Sequence, residues 1–298
     1  MITFGSAASR RSWTARAAAA CAVAALGLAV FSAGDASGAP KPTPSKPAAP
    51  AAGALDLERL RADLESGQPA RIRSALQAID AAPAEERASA APLVGGLLER
   101  GASVDLLVLA LPVAGRVSDP ALGGPVAPYV AHRDASVRKH AVTALTSIKG
   151  SDAVRALRRA LRSKDPATRG LAASGLGALG AREALPDLFA ALDQRVAEAA
   201  GAIGQLCDAA SCPKLLERLG KIPLEVVLSG FDQLLFRDAA EVPETLKLEV
   251  VERLAGLGSR DALTYLAEVR ARWPKDGSPK VKQALDAAVR GTRGKEGT

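Results

Sequence analysis

A chain of 298 residues, 48% of them apolar, is long enough for one or two domains and for a sizeable core. Only 3% of it is aromatic, which argues against a sheet built from aromatic and β-branched side chains. With alanine and leucine prominent in nearly every stretch, the composition predicts closely packed helices and an all-α fold.

The first segment reads as a targeting signal, residues 1–39. Arg10, Arg11 and Arg16 precede an uncharged run from Ala17 to Gly34, followed by small residues through Ala39. Cleavage after Gly34, Ala36 or Ala39 would each satisfy a signal peptidase. Ser9-Arg10-Arg11-Ser12-Trp13 is similar to the twin-arginine export signal, and ordinary Sec export is preferred over that route. Cys21 sits inside the apolar run with alanines before it, a poor lipobox. If uncleaved, the run is about long enough to span a bilayer, and it would be the only attachment to a membrane. The expected address is therefore the periplasm or cell envelope. Residues 40–53, PKPTPSKPAAPAAG, lack apolar periodicity and are expected to form a disordered Pro-rich linker.

From residue 54 the sequence repeats itself. An offset of 31 residues takes Asp134 to Asp165, Arg138 to Arg169, Ala141 to Ala172, Leu145 to Leu176 and Leu157 to Leu188. The next copy is four residues shorter: Ala172, Leu176, Gly177 and Leu179 recur as Ala199, Ile203, Gly204 and Leu206. A distant copy returns Leu179, Arg182, Ala184 and Leu185 as Leu257, Arg260, Ala262 and Leu263. Each unit resolves into two helices. One places Val154, Leu157 and Leu161, or Leu185, Leu188 and Leu192, along a single face. The other carries Leu171, Ala172, Gly175, Leu176 and Leu179, whose small members let a neighbouring backbone approach closely. Asp165-Pro166 and Asp119-Pro120 supply N-cap and first-turn residues, and Gly150, Gly258 and Gly291 are placed as helix stops.

The pattern Asp-x-x-(Val/Thr)-Arg-x-x-Ala-x-x-x-Leu, seen from Asp134 to Leu145 and from Asp165 to Leu176, resembles HEAT-like repeats of the type found in phycobilisome lyases. The resemblance implies an α-solenoid of antiparallel helix pairs, covering residues 54–291, with residues 292–298 as a disordered tail. The register is looser from Leu55 to Val117 and from Ile222 to Val242. In that family the aspartate and arginine pair along a ladder between units; here their i, i+4 spacing also permits a pair within one helix.

A solenoid works through its surface, and no catalytic set is legible. His132 and His140 have no metal-ligand spacing around them. Gly175, Gly177 and Gly180 spell G-x-G-x-x-G, but late in a predicted helix and without the leading strand that dinucleotide binding requires. No Walker loop or nucleophile elbow occurs. The expectation is no enzyme, no metal and no cofactor; lyase activity is implied by the family resemblance alone. Outside the signal only Cys207 and Cys212 remain, flanking a short connection between helices, and they are expected to form a disulfide in an oxidising compartment; two buried thiols are the alternative.

Charge offers the one functional hint. The whole chain is +7, and +5 without residues 1–39. Between Arg133 and Arg169 there are ten Lys or Arg against three Asp, and Arg155, Arg158, Arg159 and Arg162 follow a helical stripe. A second basic group comprises Arg270, Arg272, Lys275, Lys280 and Lys282. The sequence thus supports a non-enzymatic scaffold that binds an unidentified envelope protein on its repeat surface. The alternative is a binder of anionic ligands, whether acidic protein, lipid headgroup or envelope polymer, through the arginine stripe. Nucleic acid is disfavoured, because an exported protein meets little of it and few aromatics are available for stacking.

Overall fold

The computed structural model describes residues 55–293; the expected signal and linker lie outside the described residues. Helices follow one another with short connections: α1 (Leu57–Glu65), α2 (Pro69–Ala81), α3 (Ala84–Ser89), α4 (Ala91–Arg100) and α5 (Val104–Val117). After a 3₁₀ turn at Pro120–Leu122 come α6 (Gly123–Val126), a second 3₁₀ turn (Ala127–Ala131), α7 (Ala135–Ser147), α8 (Ser151–Ala160) and α9 (Pro166–Ala178). A third 3₁₀ turn leads into α10 (Leu185–Asp193), α11 (Ala197–Leu206), α12 (Cys212–Leu216) and α13 (Leu224–Phe236). The C-terminal part is α14 (Glu244–Gly256), α15 (Arg260–Arg272) and α16 (Pro279–Arg293). Among the described residues there is no β-strand, only an isolated bridge between Leu219 and Ile222.

The elements stack in two rows. In one row α5, α7, α9, α11 and α13 pack directly on one another in sequence. The other row contains α4, α6, α8, α10 and α12, each beside its own partner of the first row. This is an all-α solenoid, and the difference between the rows follows from residue size. Where the first row meets, the contacts are made by glycine and alanine. A Cβ at Gly175 would stand 2.6 Å from Thr146 Cγ2, and one at Gly177 would stand 3.1 Å from Ala202 Cα. The approach is closest between α11 and α13. There a Cβ on Gly230 would lie 2.6 Å from the Ala200 carbonyl oxygen, and one on Gly204 would collide with the carbonyl oxygen of Gly230. Leucines fill the space between rows: Leu145, Leu157, Leu176, Leu188 and Leu192 are wholly buried.

The expected boundaries appear with modifications. Asp134 caps α7 by accepting from Ser136 N and Val137 N, and Asp165 caps α9 by accepting from Ala167 N. Asp119 does the same for a 3₁₀ turn, not an α-helix. Gly180 (φ +70°) and Gly258 (φ +59°), the related positions of the distant copy, both end a helix in the left-handed region that glycine enters without strain. Arg195 occupies the same kind of position after α10 with φ +63°, where a side chain costs about 1–2 kcal/mol. Gly150 sits one residue before α8. Gly291 does not stop α16, which continues through it to Arg293; glycine weakens a helix by only about 1 kcal/mol, too little by itself to end one. Residues 294–298 of the expected tail lie outside the described residues.

Candidate functional site

The arginine ladder joins units. Arg138 Nη2 donates to Asp165 Oδ2 of the next unit at 3.1 Å, while its Nη1 donates to the carbonyls of His132 and Arg133, both at 2.9 Å. The inter-unit pairing is thus the one formed here, rather than the i, i+4 pair with Asp134. Hydrogen bonds from Thr168 and then from Arg138 hold the Asp165 carboxyl below its ordinary value. A carboxyl with a depressed folded-state pKa adds stability that is complete above its unfolded pKa and is lost as pH falls through the folded value. Acid titration of the urea midpoint below pH ~4 should therefore show a decline that becomes shallower in Asp165→Asn.

Arg169 repeats Arg138 on its first arm: Nη1 donates to Ser163 O at 2.9 Å and Lys164 O at 3.3 Å. It makes no ion pair among the described residues. The N-cap of α11 is Val196 where that of α9 is Asp165, so the carboxylate that answers Arg138 one unit earlier has no counterpart at this N-cap.

The arginine stripe does assemble on α8, around a cleft of about 170 Å³ lined by Arg155, Arg158, Arg159, Arg162 and Asp187. Its charge is largely answered from within the fold. Arg155 pairs with Asp152, and Asp187 of α10 accepts from Arg158 at 2.5 Å and from Arg162 at 3.3 Å. Of the four arginines of the stripe, Arg159 alone has no ion pair among the described residues. The C-terminal basic group is similarly engaged, through Arg270–Asp286, Arg272–Asp232 and Lys280–Glu244.

Cys207 and Cys212 are joined in a disulfide with Cα atoms 5.0 Å apart, both side chains wholly buried. It ties the end of α11 to α12. Arg237, which nothing in the sequence singled out, completes this corner: its Nη1 donates to Gly204 O at 3.0 Å and Cys207 O at 2.7 Å, and its Nε pairs with Glu241. The last carbonyls of α11 thereby gain the donors that a helix end lacks. The Arg218–Asp193 pair, with bonds of 2.8 and 2.9 Å and the guanidinium over the Phe189 ring, is also illegible from spacing, since its members lie 25 residues apart.

His132 Nδ1 accepts from Asp134 N, a local turn contact. Among the described residues no group of His, Cys, Asp and Glu could hold a metal ion, and no helix is long and apolar enough to cross a membrane. The G-x-G-x-x-G glycines lie within and just after α9, where Gly175 and Gly177 serve helix contact and Gly180 the stop.

The solvent side of the tight row has its own regularity. Thr143, Ser174, Gly201 and Ser229 occupy equivalent positions on α7, α9, α11 and α13, and one turn later come Ser147, Ala178, Gln205 and Gln233. All eight are exposed or half-buried. In a chain that is 24% charged, two adjacent rows across four helices carry no charge.

Residues 126–198 match the family model for HEAT repeats. No curated protein matches the sequence. Among solved structures, the chain is similar to the complex of CpcE and CpcF of phycocyanin lyase from Nostoc sp. (17% identity, 84% of this chain and 99% of that one, TM-score 0.42). It is also similar to an engineered protein (17%, 80% and 68%, TM-score 0.46) and to a designed armadillo repeat protein (17%, 79% and 99%, TM-score 0.41). Residues 126–198 thus carry HEAT repeats, within an all-α solenoid whose helix pairs stack in two rows.

Proposed function

We propose that the protein is a non-enzymatic scaffold of the cell envelope that holds a protein partner against the solvent side of the tight helix row. The observation that carries this reading is the uncharged double row running from Thr143 and Ser147 to Ser229 and Gln233. None of the eight side chains requires a charge to be desolvated, and the six short ones lose little entropy on ordering, so a partner backbone can lie close to them. The opposite row, by contrast, carries ion pairs that favour water. Export is part of the proposal, supported by the arginines ahead of the apolar run at residues 17–34 and by a disulfide of the kind that persists in oxidising compartments.

The test is cross-linking mass spectrometry on protein captured from envelope extracts at low and high salt, repeated with Ser174→Glu combined with Gln205→Glu. Both positions are exposed, so stability should change by no more than about 0.5 kcal/mol while a salt-resistant partner mapped to α7, α9, α11 and α13 is lost. Cross-links that survive this double substitution would overturn the assignment of the surface.

A second reading, an anion binder on α8, is favoured by Arg159, which is exposed, unpaired among the described residues and shared by the cleft above and a neighbouring one of about 240 Å³. It requires association that disappears with salt and with Arg159→Glu. Because Asp152 and Asp187 already answer the other three arginines, the scaffold is the better-supported function.

A further inference from the structure

The helices of the tight row begin at one edge of the stack, and that edge carries cations that the fold leaves unanswered. Arg133, Lys164 and Arg195 each occupy the residue before the N-cap of α7, α9 and α11. All three are exposed, and none makes an ion pair among the described residues. Arg169 lies on the same edge, in the first turn of α9. Its sister Arg138 binds a carboxylate, Asp165, with the same guanidinium arm that Arg169 leaves empty. The internal repeat therefore supplies a precedent for a carboxylate on this arm.

The acids of the edge are mostly committed. Asp165 binds Arg138, Asp193 binds Arg218, and Asp134 caps α7. Glu198, unlike these three, neither pairs with a cation nor caps a helix among the described residues; its carboxyl lies where a Cβ on Gly170 would fall. A cleft of about 650 Å³ opens between the first two turns, lined by Arg133, Arg138, Lys164 and Asp165 among others.

We propose that this edge, anchored at Arg169, binds an extended acidic segment of a partner protein bearing a carboxylate at every third residue. The period follows from two lengths. Packed helices lie about 8–10 Å apart, and a polyproline II segment advances about 9 Å in three residues while returning its side chains to the same face. Carboxylates at i, i+3 and i+6 would then meet the cations of α7, α9 and α11 in turn: Arg133, then Lys164 and Arg169, then Arg195. The charge complementarity singles out an acidic polypeptide, and Arg195 fits it: this residue keeps a strained left-handed backbone where glycine ends other helices.

The inference rests on the scaffold reading only for the partner's being a protein, and its test uses none. The probe is a synthetic peptide of repeated Glu-Pro-Pro triplets, and the control is a peptide of the same composition with its glutamates contiguous. Binding to the full chain is measured by fluorescence anisotropy, followed by carbodiimide coupling and mapping of the joined lysine. We expect the triplet peptide to bind about tenfold more tightly than the control, and Arg169→Gln to weaken it about tenfold, the scale of one charge-assisted contact. Coupling should concentrate at Lys164. Arg195→Gly should also weaken binding while leaving the melting temperature unchanged or raised, which separates recognition from folding, and Glu198→Gln should strengthen it. Equal binding of the two peptides, no effect of Arg169→Gln, coupling spread over all surface lysines, or no binding at all would each overturn the proposal. A failure here combined with salt-resistant cross-links to α9 and α11 would leave the scaffold standing.

Discussion

Gly204→Leu should be the most damaging single substitution in the described chain, costing about 3 kcal/mol or more. The collision at this site is with backbone: the carbonyl of Gly230 occupies the space a Cβ needs, and Gln233 Cβ, three residues further along α13, stands 2.9 Å away. Helices α11 and α13 could accept the side chain only by separating, and separation would open the contacts around Ala200, Ile203 and the wholly buried Phe231. The loss is read from urea unfolding followed by far-UV circular dichroism. Gly256→Ala is the control, because a Cβ there meets nothing within 4 Å; it should stabilise by at most about 1 kcal/mol. If both variants unfolded at the wild-type midpoint, the close approach of α11 and α13 would be refuted. In a stacked array the damage should also spread unevenly, since each unit contacts mainly its neighbours, and hydrogen exchange should rise in α11 to α13 before it rises in α1 to α5.

The second large effect belongs to the disulfide. Replacing Cys207 and Cys212 together with serine should cost about 2 kcal/mol from the released chain entropy of so short a loop, and burial of two hydroxyls in wholly buried positions adds to it. Thiol titration of the denatured protein, with and without reductant, should find no free thiol at these positions before reduction. Free thiols in protein purified from the envelope would contradict both the bond and the oxidising address. The consequence reaches further than one corner, because Arg237 anchors on the Cys207 carbonyl. Releasing α12 should loosen that anchor and expose Lys247, whose burial holds its pKa below the ordinary value and whose ammonium donates to the Arg237 carbonyl.

What the sequence determined by itself was the repeating unit. The 31-residue offset, the Asp165-Pro166 cap and the stop at Gly258 are local: each depends on the backbone preferences of a few residues and on the periodicity that buries Leu145, Leu157 and Leu176. The disulfide pair was legible for the same reason, being close in the chain. The tight row was legible as well, because Gly175 and Gly177 inside a helix require compensation from a close neighbour.

Tertiary structure decided the electrostatics. The stripe from Arg155 to Arg162 read as an excess of positive charge because, beside the local Asp152, its second acid lies elsewhere in the sequence; Asp187 reaches Arg158 and Arg162 only after α10 packs beside α8. The same holds for Arg138, for which spacing permitted Asp134 and the family resemblance implied an aspartate of a neighbouring unit, and which takes Asp165 of the next unit. The unanswered cations at Arg133, Lys164, Arg169 and Arg195 became distinguishable from the answered ones only once the helices were stacked. Backbone preference acts over a turn of helix and is written in consecutive residues. Charge compensation acts between side chains brought within about 4 Å from distant positions, so a count of charges along the chain gives their number and only the fold gives their balance.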